Sequence, residues 1–76
     1  MSKVIIFGTA NCSYCDMAKK LCEKLKVTYS YYDIAADAKA MNYLMDELGM
    51  FKTVPQIFVD GKHIGGFNEL KELLND

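Results

Sequence analysis

Two apolar patterns alternate along the chain and mark out its elements. Residues 3–8, KVIIFG, form a short, continuous, β-branched run that suits a strand buried on both faces. The small and polar GTAN at 8–11 reads as a loop. From Cys12 onward the period becomes helical. Met17, Ala18, Leu21, Cys22 and Leu25 fall on one side, with Asp16, Lys19, Lys20, Glu23 and Lys24 mostly on the other. VTYSYYDI at 27–34 is rich in aromatic and β-branched residues and reads as a second strand. Asp37 is placed to cap a following helix with an apolar stripe of Ala38, Met41, Leu44, Met45 and Leu48, and Gly49 is its C-terminal stop.

The last third is denser in signals. QIFV and KHIGG are joined through Asp60-Gly61, the strongest short-range hairpin signal in the chain. Asn68 can cap a final helix, ELKELLND, with Leu70, Leu73 and Leu74 facing inward. The order is therefore βαβαββα. Two strands linked by a helix should run parallel with a right-handed crossover. The hairpin adds an antiparallel pair, so the expected fold is α/β: a four-stranded mixed sheet with three helices covering both its faces. The 76 residues, without repeat or linker, are expected to form a single domain.

Composition narrows the chemistry. A chain this short buries little core, yet its three cysteines cannot make a disulfide framework. With 51% apolar residues, packing has to hold it together. A net charge of −1 gives no basic excess to displace counterions from phosphate, which argues against nucleic acid as a partner. All nine basic residues are lysines, so no bidentate guanidinium is available. No secretory signal or membrane-spanning run is visible, and the expected compartment is a reducing cytoplasm.

In that setting TANCSYCDMAKK at 9–20 carries the chemistry, with Cys12 and Cys15 three apart at the start of a helix that follows a strand. Cys12 would sit near the positive end of the helix dipole and close to free backbone N–H groups, which favours thiolate over thiol. Such sites bring a cysteine pKa down to ~3.5–7.5 and make a nucleophile without a neighbouring base. Cys15, one turn later, is placed to attack Cys12 and release a mixed disulfide. Cys12 is thus the candidate attacking thiol and Cys15 the candidate resolving thiol. Lys19 and Lys20 lie further along the helix, as a source of positive potential or simply as a solvated face. A structural zinc site fits poorly: His63 stands alone on a hairpin strand and Cys22 lies on a buried stripe, so no metal is expected. Cys22 reads as a small core hydrophobe, with a regulatory third thiol as the alternative.

CSYC at 12–15, taken with TVPQIFVDGKHIGGFNEL at 53–70, resembles the dithiol glutaredoxins of the thioredoxin superfamily, and the resemblance runs from about Val4 to Leu74. The thiol pair alone would indicate only the superfamily; Tyr14, TVP and GGFNE make the match specific. The resemblance implies reduction of disulfides and of glutathione mixed disulfides, with glutathione as reductant and no tightly bound cofactor. It implies a cis Pro55, with Thr53 beside it and the Val54 backbone pairing with glutathione like an added strand. It also implies that the γ-glutamyl carboxylate meets backbone N–H groups around Gly66, Phe67 and Asn68, a reasonable anion site at a helix start. Lys52 matches a basic position facing the glycyl carboxylate, and Tyr14 a tyrosine flanking the tripeptide.

Two positions depart from the pattern. Thr9 stands where the family often has Lys or Arg, removing a charge near the thiolate. Ser13 stands where proline is commonest, restoring a backbone N–H. Some glutaredoxins with serine there hold an iron–sulfur cluster between two subunits, with glutathione as an extra ligand. The expected protein is a monomeric, glutathione-dependent thiol–disulfide oxidoreductase. Its implied partners are disulfide-containing proteins such as ribonucleotide reductase and, indirectly, glutathione reductase. The rival readings are a protein of the same shape recharged by thioredoxin reductase and a non-enzymatic cluster carrier.

Overall fold

The computed structural model describes residues 3–74. The observed order is β1 (Val4–Gly8), α1 (Ser13–Lys24), β2 (Tyr29–Asp33), α2 (Ala38–Leu48), β3 (Gln56–Val59), β4 (Lys62–Gly65) and α3 (Phe67–Leu73). The four strands form one sheet in the order β2-β1-β3-β4. Strand β1 pairs parallel with β2 and antiparallel with β3, and β3 pairs antiparallel with β4 across an irregularity at Ile57/Phe58. The hairpin turn uses left-handed backbone at both Asp60 and Gly61, φ 53° and 82°, as a two-residue primed turn requires.

Strand β1 is apolar on both sides because both sides are covered. Val4 and Ile6 pack with Ile57 against Ala18, Leu21 and Cys22 of α1 and Leu70 of α3. Phe7, on the opposite face, packs with Phe58 against Ala40 and Leu44 of α2. Two helices thus cover one face and one helix the other. The thinner layer leaves a shallow apolar concavity of about 430 Å³ at its side, bounded by Ile5, Phe7, Tyr32 and Tyr43. It lies on the α2 face of the sheet, across from α1.

Several expected positions shift. Cys12 is the N-cap of α1 rather than its first residue. In α2 the inward line runs through Ala40 and Leu44, while Ala38 and Met45 are exposed; Asp37 caps the helix as expected, accepting from the Lys39 and Ala40 amides. Leu44 and Leu48 face the core as expected, and Ala40, one turn before Leu44, completes a stripe too narrow to include Ala38 and Met45. Met17 and Leu73 are exposed instead of buried. Asn68 is not the cap of α3. Gly66 is, and Glu69 supplies the capping interaction by accepting from the Gly66 amide at 2.7 Å. The expected last turn at Asn75 and Asp76 lies outside the described residues. Among the described residues no helix is long and apolar enough to cross a membrane.

Candidate functional site

The parallel pairing of β1 with β2 delivers the chain to the carboxyl end of the sheet at Gly8, and the thiols follow there. Asn11 adopts left-handed backbone, φ 59°, a conformation that asparagine tolerates better than most residues, and so turns the chain into Cys12. Cys12 and Cys15 are joined as a disulfide with their Cα atoms 5.2 Å apart. The Cys15 amide points at Cys12 Sγ from 3.1 Å, so the cysteine itself acts as the helix cap. That N–H and the start of the helix concentrate positive potential at the first sulfur. Cys12 is partly exposed whereas Cys15 is 1% exposed, so the two cysteines differ sharply in their access to solvent.

Behind Cys15 the packing is tight. Tyr31 of β2 reaches the same spot, donating its hydroxyl to the Thr9 carbonyl at 3.2 Å, and Lys19 Nζ stands 4.1 Å above its ring. Burial, with smaller contributions from Asp33 and Asp16, raises the Tyr31 pKa, so the hydroxyl stays protonated. Cys22 is fully buried in the α1 core, where burial and then Glu23 push its thiol pKa up. That is the environment of a packed side chain, not of a reactive thiol.

In front of Cys12 lies an open groove of about 320 Å³. One wall is Thr53–Pro55, where the Val54–Pro55 peptide is cis and the Val54 carbonyl oxygen lies 3.8 Å from Cys12 Sγ. The other wall is Gly66, Phe67, Asn68 and Glu69, at the start of α3. Tyr14 leans on Phe67, ring centroids 6.0 Å apart, and closes one end. Seven of the residues named above for glutathione therefore line one groove. Lys52 does not line it; it is exposed and immediately precedes Thr53.

Two residues of the site went unread in the sequence. Glu69 lines the groove, and its carboxyl is held below its ordinary pKa chiefly by the Gly66 N–H, then by its own. A Glu three residues after a helix cap is a recognised signal, masked here by Asn68, which is itself a favoured cap residue. Gln56 is the buried polar side chain among the described residues. Its Nε2 donates to the Thr53 carbonyl at 2.8 Å and the Thr53 hydroxyl at 3.3 Å, and its Oε1 accepts from His63 Nε2 at 2.8 Å. Gln56 thus braces the first wall from beneath. Among the described residues no three His, Cys, Asp or Glu side chains gather as a metal site.

Residues 4–64 match the family model described as Glutaredoxin. The chain is 42% identical over 73 residues to glutaredoxin 1 of Escherichia coli K12, spanning 88% of this chain and 86% of that protein. The solved structure of reduced Escherichia coli glutaredoxin superposes with a TM-score of 0.79 at 39% identity, covering 96% of this chain and 93% of the other. A buckwheat glutaredoxin–glutathione complex superposes with a TM-score of 0.79 at 29% identity, covering 99% of this chain and 70% of the other.

Proposed function

This chain belongs to the glutaredoxin family and is a thiol–disulfide oxidoreductase, and we propose that it draws its electrons from glutathione, bound in the groove beside Cys12. The observation that carries this reading is the groove itself. Its walls are Thr53–Pro55 and Gly66–Glu69, and the Val54 carbonyl of the first wall lies 3.8 Å from Cys12 Sγ. The similar buckwheat protein, solved with glutathione, supports the same ligand.

Cys12 thiolate attacks the glutathione sulfur of a mixed disulfide, the substrate thiolate leaves, and Cys12 carries the glutathionyl group. A second glutathione thiolate attacks that glutathionyl sulfur, releasing glutathione disulfide and restoring Cys12. With a protein disulfide, Cys12 forms the mixed disulfide and Cys15 attacks Cys12, closing the Cys12–Cys15 bond and freeing the reduced substrate. Two glutathiones then reopen that bond. The tripeptide backbone pairs with Val54, its γ-glutamyl carboxylate lies by the amides of Phe67 and Asn68, and Lys52 faces its glycyl carboxylate from the rim. Ribonucleotide reductase is a candidate protein substrate, on the strength of the family resemblance.

The test is reduction of a glutathione mixed disulfide coupled to glutathione reductase and NADPH, beside a run with thioredoxin reductase in their place. Turnover only with glutathione is the expected result; turnover only with thioredoxin reductase would void the glutathione site. Cys15→Ser should retain deglutathionylation and lose protein-disulfide reduction, while Cys12→Ser should lose both.

A further inference from the structure

Helix α1 carries more than the thiols. Its turns set Tyr14, Met17 and Leu21 in an apolar lane leading away from Cys12, and Lys20 and Lys24 in a second lane beside it. Tyr14 and Met17 are exposed, 56% and 44%. Met17, Leu21, Lys20 and Lys24 border a shallow depression whose far side is Phe67. Phe67 also lines the thiol groove, so the depression continues that groove. The acidic residues of α1 stand one turn to either side of Lys20 but engage other groups, Asp16 pairing with Lys19 at 3.5 Å and Glu23 accepting from the Tyr29 hydroxyl at 2.6 Å. The residues that line the depression are thus apolar or lysine, with no carboxylate among them, although the whole chain has a net charge of −1.

We propose that this strip is the docking surface for the polypeptide that carries the disulfide, and that it selects a segment with an apolar residue followed by carboxylates. The proposal rests on Cys12 as the attacking thiol; it does not require glutathione to be bound. Spacing along the helix sets the register. Met17, Lys20 and Lys24 lie about 7, 12 and 18 Å beyond Cys12 along the axis. An extended peptide covers those distances in roughly two, four and five residues. The matching segment has its apolar side chain about two residues from its cysteine and acidic side chains about four and five residues away.

The test uses the Cys15→Ser protein, in which Cys12 forms a mixed disulfide and stops. Two peptides share a cysteine and a leucine two residues on, with glutamates or lysines at the fourth and fifth positions. Each cysteine bears a thionitrobenzoate group. Cys12 thiolate attacks the peptide sulfur, the Cys12–peptide disulfide forms, and the coloured thionitrobenzoate anion leaves, so its release gives the rate. The cysteamine adduct serves as a control without a peptide.

The acidic peptide should react faster than the basic one. Relative to cysteamine, Lys20→Glu should slow the acidic peptide about three- to tenfold and speed the basic one, as expected for exchanging an exposed attraction for a repulsion. Both effects should shrink in ~0.5 M salt, where screening is short-ranged. Met17→Gln should slow both peptides alike and spare cysteamine. Equal rates for the two peptides, or a Lys20→Glu effect that is the same for both, would overturn the proposal. Failure of cysteamine itself to react would instead overturn the assignment of Cys12, and the proposal with it.

Discussion

Gly8 and Cys15 are in contact through an absent side chain: a methyl group on Gly8 would stand 2.6 Å from Cys15 Sγ. It would also meet the Tyr31 ring at 3.1 Å and its hydroxyl at 3.2 Å. The end of β1 therefore reserves the space in which the resolving sulfur sits. Gly8→Ala should destabilise the protein by about 1–3 kcal/mol, the usual cost of overpacking. The displaced sulfur should also slow protein-disulfide reduction more than deglutathionylation. Thermal unfolding and the two activities, measured side by side, check both parts.

Gln56 gives a second prediction. Gln56→Leu fills the same space but leaves the Thr53 carbonyl without its donor, a loss of about 1–3 kcal/mol. Because Thr53 begins the groove wall, KM for a glutathionylated substrate should rise several-fold with kcat little changed. A fall in melting temperature with KM unmoved would show that the brace serves stability alone.

Glu69 sets an acid limit on stability. Its carboxyl is lowered from an ordinary value of 4.5, mainly by the Gly66 amide. A group depressed in the folded state contributes fully above its unfolded value and loses that contribution as pH falls through the folded one. Stability should therefore begin to fall near pH 4.5 and continue falling below it. Glu69→Gln should flatten that limb while leaving the neutral region less changed, as read from melting temperature against pH.

Cys22 should be silent. It is fully buried and its thiol pKa is raised, so alkylation of the reduced native protein should mark Cys12 first and Cys22 only after denaturant is added. Peptide mass mapping resolves the order. Early labelling of Cys22 would revive the regulatory-thiol reading.

Leu44 is the fully buried residue of α2, the one helix that covers its face of the sheet. Leu44→Ala should cost about 2–5 kcal/mol in denaturant unfolding. The dithiol activity of the folded fraction should be preserved, because α2 lies across the sheet from α1 and the thiols.

The order of elements was legible in the sequence because each signal is local. A β-branched run, a helical period, Asp37 before a stripe and Asp-Gly between two apolar runs each act over a few residues. The Cys12–Cys15 spacing is local too, since one turn of helix separates the two sulfurs wherever that helix is packed. The sequence could not say that Ala40 joins Leu44 on the inward line of α2 while Ala38 and Met45 stay exposed, because the sheet decides it; the Gly66 cap had a local mark in Glu69, which Asn68 masks. Only the tertiary structure joins Thr53–Pro55 to Gly66–Glu69 across the groove, since the β3–β4 hairpin must fold back to bring the two segments together. The same holds for Gly8 against Cys15 and for Phe67 beside Met17. Each of these is a contact between elements distant in sequence or turned away from one another in isolation. A one-dimensional pattern records the residues that can make such contacts, and packing selects the ones that do.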